Sequence, residues 1–263
     1  MPLAGVPVKA AADYVRRLVQ QGFRVAICEQ VEDPRVAKGI VRREVIETVT
    51  PGVAIADDLL EGARNNYVCA VVGGRGERGN GKQGGNRESA SGIWGVAAAD
   101  ISTGEMRLAV VDRSELDALL ARLSPREIVI AEDPGQLPSC LVTEREQWEF
   151  DAELARDDLT RQFGVLSLDG LGLGGDDTLA IGAAGALLRY LKELQPAGVS
   201  LARPIIERAA GVLPLDEMTR RNLELVESLR PSAQSGTAGT LIDVLDRTAT
   251  PMGARLLRQW ILA

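Results

Sequence analysis

Apolar residues recur at helical spacing through Tyr14, Val15, Leu18 and Val19, while Asp13, Arg16, Arg17, Gln20 and Gln21 fall on the opposite face. That is the pattern of an amphipathic helix. Gly22 is a natural stop for it, and the run Phe23–Cys28 reads as a short, largely apolar strand. Asp33-Pro34 opens a turn, and residues 41–50 are rich in β-branched side chains up to the strand-breaking pair Pro51-Gly52. A helix and two strands in about 50 residues form an α/β piece too small to stand as an independent domain.

The clearest pattern lies in residues 65–165. Strands are predicted at Tyr67–Val72, Ile93–Ile101 and Glu105–Val111, the last two joined through Ser102-Thr103-Gly104 as a hairpin. Leu116, Leu119, Leu120 and Leu123 share one face of a predicted helix over Ser114–Leu123, with Ser114 as N-cap and Asp117 as the capping-box acid. Glu127–Ala131 reads as a strand and Asp151–Phe163 as a helix. The order β-β-β-α-β-α matches a ribonuclease-H-like layout within the α/β class. Residues 73–92, between the first two strands, are dominated by Gly, Arg, Asn, Ser and Glu, the composition of a mobile surface loop.

A second Gly-rich stretch, Gly170–Gly175, reads as a flexible linker to a helical tail. The tail starts with Asp177 as N-cap, runs through Leu179, Leu187, Leu188, Leu191 and Leu194, and stops at Pro196. Gly182, Ala183, Ala184, Gly185 and Ala186 would let a neighbouring helix come close. Further helices are predicted at Thr219–Leu229, Thr240–Arg247 and Met252–Ile261. The last still carries Leu256, Leu257, Trp260 and Ile261 with no evident partner, as expected of an unfinished domain.

Composition narrows the chemistry. Among 263 residues there is no His, which excludes Ser-His-Asp and Cys-His nucleophile systems and imidazole metal sites. Three well-separated cysteines without a CxxC suit a reduced, cytoplasmic chain. The N-terminus lacks the basic flank and apolar core of a signal peptide. No stretch approaches the roughly 18 apolar residues of a membrane span. The net charge of −7 is unevenly spread: residues 1–50 carry +2, residues 65–165 carry −6 and residues 166–263 carry −1. The acidic middle is a poor phosphate surface and suits a protein partner.

Several motifs suggest chemistry that their surroundings contradict. Gly76-x-x-x-x-Gly81-Lys82-Gln83 approximates a phosphate loop, but Gln83 lacks the hydroxyl that would ligate Mg²⁺, and no apolar helix follows. The dinucleotide-like pattern Gly74-x-Gly76-x-x-Gly79 shares that defect. Gly170-x-Gly172-x-x-Gly175 does precede a helix, yet Asp176 and Asp177 put negative charge where a pyrophosphate would sit. A metal-dependent nuclease would need converging carboxylates, for which Asp100, Glu105, Glu132 and Asp133 are candidates. The alternative for Asp100 is a hairpin-turn residue, with the others solvated. Lys38, Arg42 and Arg43 form the basic concentration outside the loop. They suit either phosphate contact or a charged strand edge.

Taken together, three stretches resemble the MutS family of bacterial DNA mismatch repair proteins. They are Gly22-Phe-Arg-Val-Ala-Ile-Cys-Glu-Gln30 with Asp33-Pro34; Lys38-Gly39 through Val49-Thr-Pro-Gly52; and Thr219-Arg-Arg-Asn-Leu-Glu224 followed by Leu245-Asp-Arg-Thr-Ala-Thr-Pro-Met-Gly253 and Arg255-Leu-Leu-Arg-Gln-Trp260. Asn65-Asn66-Tyr67 and Asp100-Ile-Ser-Thr-Gly104 also fit. The resemblance implies an internal slice of such a protein. Residues 1–58 would end the mismatch-recognition domain, 65–165 form the connector, 166–176 the linker, and 177–263 the start of the helical core and lever.

It also implies mismatched double-stranded DNA and a MutL-type protein as partners, and a homodimer for the full-length protein. ATP and Mg would belong to an ATPase domain expected beyond Ala263, so no cofactor and no enzyme activity are expected in this stretch. The family's base-reading Phe-x-Glu has no match, since Phe23, Phe150 and Phe163 are followed two residues later by Val25, Ala152 and Val165. Val8-Lys9 replaces the aromatic and His that usually follow Gly5-Val6-Pro7 in the family. The family's connector communicates between domains and contacts MutL, in keeping with the acidic balance read above. The helix Asp151–Phe163 is then the expected partner face, with Asp157 and Asp158 where other members tend to have neutral polar residues. The alternatives are a ribonuclease-H-like nuclease or a weak nonspecific DNA binder through Lys38, Arg42 and Arg43.

Overall fold

The computed structural model describes residues 6–32, 39, 41–53, 64–74, 92–135, 137–208, 215, 217–229 and 239–262. Helix α1 (Val8–Gln20) ends where Gly22 adopts a left-handed φ of +86°. The N–H groups of Gly22 and Phe23 bond back to the carbonyls of Val19 and Leu18 at 2.9 and 3.0 Å. This reversal uses up Phe23, so strand β1 (Val25–Gln30) begins later than the apolar run predicts. β1 pairs antiparallel with β2 (Arg43–Val49), and Val19 and Val49 anchor a small core with Val15, Val25 and Ile27.

The main sheet has six strands: β3 (Tyr67–Gly73), β4 (Ile93–Asp100), β5 (Glu105–Asp112), β6 (Glu127–Ile130), β7 (Leu141–Glu144) and β8 (Ile205–Glu207). Their spatial order is β7-β6-β3-β4-β5-β8. β4 runs antiparallel to both neighbours, whereas β3–β6, β6–β7 and β5–β8 are parallel pairs. Both faces are covered, which explains why β3 reads as one apolar run. Val68, Ala70 and Val72 enter one core, and Tyr67, Cys69 and Val71 enter the other.

Helix α2 (Arg113–Leu123) covers the second face with Leu116, Leu119, Leu120 and Leu123. It starts directly from β5, so Asp112 and not Ser114 is the N-cap residue, and no side chain caps the end. Asp117 pairs instead with Arg113 at 2.8 Å. Strands β7 and β8 and the 3₁₀ turn Gln147–Phe150 have no counterpart in the sequence expectation. Elements of three or four residues are too short to show a period.

The other face is covered by α3 (Ala152–Phe163) and α4 (Thr178–Leu194). Here the expected boundary at Asp177 requires correction. α4 does not open a separate helical unit; twelve of its seventeen residues are buried against this sheet and α3. Its glycines allow that depth. A Cβ on Gly182 would lie 2.3 Å from the carbonyl oxygen of Phe150, and one on Gly185 would lie 2.3 Å from Ala155 Cβ. On the sheet side, a Cβ on Gly95 would meet the carbonyl carbon of Leu179 at 2.2 Å.

The stretch 170–175 is not a free linker either, because Leu168 just before it and Leu173 within it are buried in the same core. Asp177 stands at the start of α4, but its carboxylate accepts from the Gly174 N–H at 2.8 Å and pairs with Arg208 at 3.1 Å, leaving the helix uncapped by a side chain.

The C-terminal part contains α5 (Glu217–Asn222), α6 (Leu241–Leu245) and α7 (Pro251–Leu262). The helix expected through Leu229 stops at Asn222. Glu224 takes a left-handed φ of +47°, and its carboxylate accepts from the Leu229 N–H at 2.7 Å, closing a turn. Of the Gly-rich loop 73–92, only Gly73, Gly74 and Gly92 are described; the rest lies outside the described residues, phosphate-loop-like Gly76–Gln83 included. No helix among the described residues is long and apolar enough to cross a membrane.

Candidate functional site

One end of the main sheet gathers most of the long-range polar contacts. There Tyr67, Asp100 and Glu105 sit side by side in register across β3, β4 and β5, and Val68 lies beside Glu127 at the start of β6. The N-terminal piece and helix α7 both dock at this end.

Glu127 is fully buried on the α4 face. Its carboxylate accepts from the hydroxyls of Thr50 at 2.6 Å and Thr143 at 2.8 Å, and from Tyr190 of α4. The guanidinium of Arg24 lies 3.6 Å away and also donates to Thr143. A carboxylate in this setting is tolerable only with such a donor set. Two of the partners, Arg24 and Thr50, come from the N-terminal piece, so the group joins that piece to the sheet. Burial and the Glu127 charge push the Tyr190 phenol above its ordinary range, keeping it a proton donor. The same two causes push the Cys140 thiol up to about 11. Next to it the Pro51-Gly52 turn presses on β3 so closely that a Cβ on Gly52 would lie 2.5 Å from Val68 Cγ2.

Asp100, also fully buried, accepts four hydrogen bonds. Oδ2 takes the Asn66 N–H and the Asn65 side-chain amide, both at 3.1 Å; Oδ1 takes the Ser102 N–H at 2.9 Å and its hydroxyl at 2.6 Å. Beside it, Glu105 accepts from the Tyr67 hydroxyl at 3.0 Å, Arg107 at 2.6 Å and Gln259 of α7 at 2.8 Å. Burial, then the Glu105 charge, raise the Tyr67 phenol.

A third group holds the sheet edge. Glu207 of β8 bonds Arg107 of β5 at 2.7 Å and also pairs with Arg122 of α2. Burial alone would raise Glu207, but Arg122 and Arg107 hold it below the usual carboxylate range. A cavity of about 320 Å³ opens between this edge and α7, bordered by Arg107, Arg122, Glu207, Leu256 and Trp260.

The predicted site residues fare unevenly. Asp100 and Glu105 lie at this end, whereas Glu132 and Asp133 follow β6 at the opposite end, ~20 Å away at strand rise. The four carboxylates therefore do not converge. Among the described residues no group of three or more His, Cys, Asp or Glu could hold a metal ion, so these residues lend the nuclease alternative no support. Lys38 lies outside the described residues. Arg42 pairs with Glu44, two residues away on β2, and Arg43 is exposed opposite Gln30 at the start of β2. On α3, Asp157 is exposed, but Asp158 is half-buried and paired with Arg189 of α4. Only one acid of that pair faces outward.

Sequence reasoning missed Glu127, Asn65, Asn66 and Gln259 as site residues. The one local signal for Glu127 is a charge opening the buried run Glu-Ile-Val-Ile.

Comparison with known proteins follows the chain in order. Residues 1–58 match the model of MutS domain I, residues 66–203 that of MutS domain II and residues 218–263 that of MutS domain III. The second match includes α4, in agreement with its packing on the sheet. The relatives it matches include the DNA mismatch repair proteins MutS of Chlorobaculum parvum (40% identical over 270 residues), Desulfosudis oleivorans (43% over 276) and Solibacter usitatus (41% over 275). Each alignment takes in all of this chain and 29% of the relative's length.

Proposed function

Because the chain belongs to the MutS family of DNA mismatch repair proteins, we propose that it acts as the joint of a mismatch-recognition protein and not as its base-reading or ATP-driven part. One observation carries this reading: the N-terminal piece and α7 dock at the same end of the main sheet, through Glu127 on one face and through Asp100 and Glu105 beside it. We further infer a ribonuclease-H-like connector. In support, the first five strands of the main sheet stand in the order 5-4-1-2-3, with only the second reversed. A shared fold does not by itself carry a shared chemistry.

In this reading mismatched double-stranded DNA, a MutL-type partner and homodimer formation belong to the full-length protein, in the cytoplasm. ATP and Mg belong to the part of the relatives that this chain does not span. The chain itself turns over no ATP. Its exposed contribution to the protein partner is α3, where Asp157 stands clear of the Asp158–Arg189 pair.

Capture of a MutL-type protein by this chain tests the reading. Asp157→Lys should cut capture at least severalfold while Asp158, needed for packing, is left alone. Unchanged capture removes α3 as the contact. Arg42 and Arg43 are the DNA-phosphate candidates within the described residues. Retention on duplex DNA that stays flat between low and high salt would exclude them, since phosphate contacts weaken steeply with salt.

A further inference from the structure

Every donor around Asp100 is committed at its other end. The Asn66 backbone N–H donates to Asp100, and its side-chain amide donates to the Gly52 carbonyl at 3.1 Å. Asn65 uses both amide protons, on Asp100 at 3.1 Å and Glu105 at 3.2 Å, which leaves its oxygen to accept from Gln259 at 3.4 Å. Ser102 spends its single hydroxyl proton on Asp100, so its oxygen can only accept, and Arg255 of α7 donates to it at 3.1 Å. The directions follow from the donor inventory: flipping the Asn65 amide would set its oxygen against two carboxylates.

We propose that Asp100 is a coupling residue: through Asn66 it positions the Pro51-Gly52 turn, through Asn65 and Ser102 it positions α7, and loosening either contact therefore loosens the other. The proposal rests on the joint reading above and adds the group through which the two sides are linked. The side-chain hydrogen bonds of Asp100 go to Asn65, Asn66 and Ser102, which in turn reach the turn and α7. It is a positioning residue that holds Asn65, Asn66 and Ser102 in the one orientation that serves both. Linkage of this kind must be reciprocal.

Hydrogen exchange on the full chain tests it. The Val53 N–H, bonded to Thr50 O at 3.1 Å, reports on the turn, and the Ala254 N–H, bonded to Thr250 O at 3.1 Å, and its neighbours report on α7. Gln259→Ala with Arg255→Ala should speed exchange at Val53 by about fivefold or more, and Asn66→Ala should do the same at α7, the lower end of typical coupling between sites. In an Asp100→Asn background the α7 substitutions should add nothing at Val53. Faster exchange confined to the substituted side in both single-sided variants overturns the proposal, and those two decide it alone if Asp100→Asn does not fold. No DNA or partner protein enters the measurement. Unlinked exchange would therefore sink the coupling and leave the joint reading to the capture experiment, while failed capture would leave linked exchange standing.

Discussion

A carboxylate removed from water costs several kcal/mol unless protein donors replace the lost hydration, and Glu127 keeps its place by collecting three hydroxyls and a guanidinium. Glu127→Ala would strand those donors and should cost about 3 kcal/mol, read from urea denaturation. Its charge also reaches the nearby thiol. Cys140 titrates near 11 because burial and then Glu127 disfavour the thiolate. Alkylation of Cys140 should therefore stay slow at pH 8 and accelerate towards pH 11. Glu127→Gln should move that rise to lower pH.

Glu207 has the opposite sign. Its folded pKa lies below the ordinary value of 4.5, so its contribution to stability is complete above about that pH and is lost as pH falls through the lower folded value. Unfolding free energies between pH 3 and pH 6 should show this loss, and Glu207→Gln should flatten it.

At the scale of elements, α4 decides the architecture. Its Gly-Ala-Ala-Gly-Ala run announces close packing, and the predicted neighbour, a helix, is there: α3 meets Gly185 at Ala155. The run does not disclose that the sheet presses on the other side through Gly95. On an exposed helix, Gly→Ala gains up to about 1 kcal/mol from propensity. At Gly185 the new methyl would overlap Ala155, so Gly185→Ala should instead destabilise by about 1–3 kcal/mol. Gly170→Ala, with nothing within 4 Å of the added carbon, should be near neutral in the same denaturation series. β8 teaches the same lesson in reverse. Three residues with no period of their own become a strand because β5 offers an open edge and Arg107 a partner for Glu207.

At the scale of the whole molecule, none of the hydrophobic core clusters among the described residues draws on α5, α6 or α7. Those helices meet the rest through polar contacts such as Gln259–Glu105, Arg255–Ser102 and Arg220 with the Ala118 carbonyl. A chain ending at Arg208 should keep a single cooperative unfolding transition, monitored by far-UV circular dichroism. Removal of 178–194 should abolish it, because α4 supplies a large share of one core. The acidity of the middle segment is partly consumed inside: Asp100, Glu105, Glu127, Glu149 and Asp158 all have protein donors. Asp157 is among those left for solvent or a partner.

The amino-acid sequence by itself determined the strands and helices with a readable period, the exclusion of histidine chemistry, and the family, whose stretches at both ends of the chain are local runs of residues. Periodicity and capping are properties of covalent neighbours, so they are visible in one dimension. Tertiary structure alone decided that α4 belongs to the sheet, that Glu132 and Asp133 lie far from Asp100, that Asp158 is spent on Arg189, and that Asp100, a hairpin-turn residue as its sequence context suggests, also collects Asn65 and Asn66. Those outcomes depend on contacts such as Thr50 with Glu127 and Gln259 with Glu105, 77 and 154 residues apart. Which donors reach a buried carboxylate is settled only when the sheet and helices that carry them have packed, since a buried charge persists only where its donors arrive.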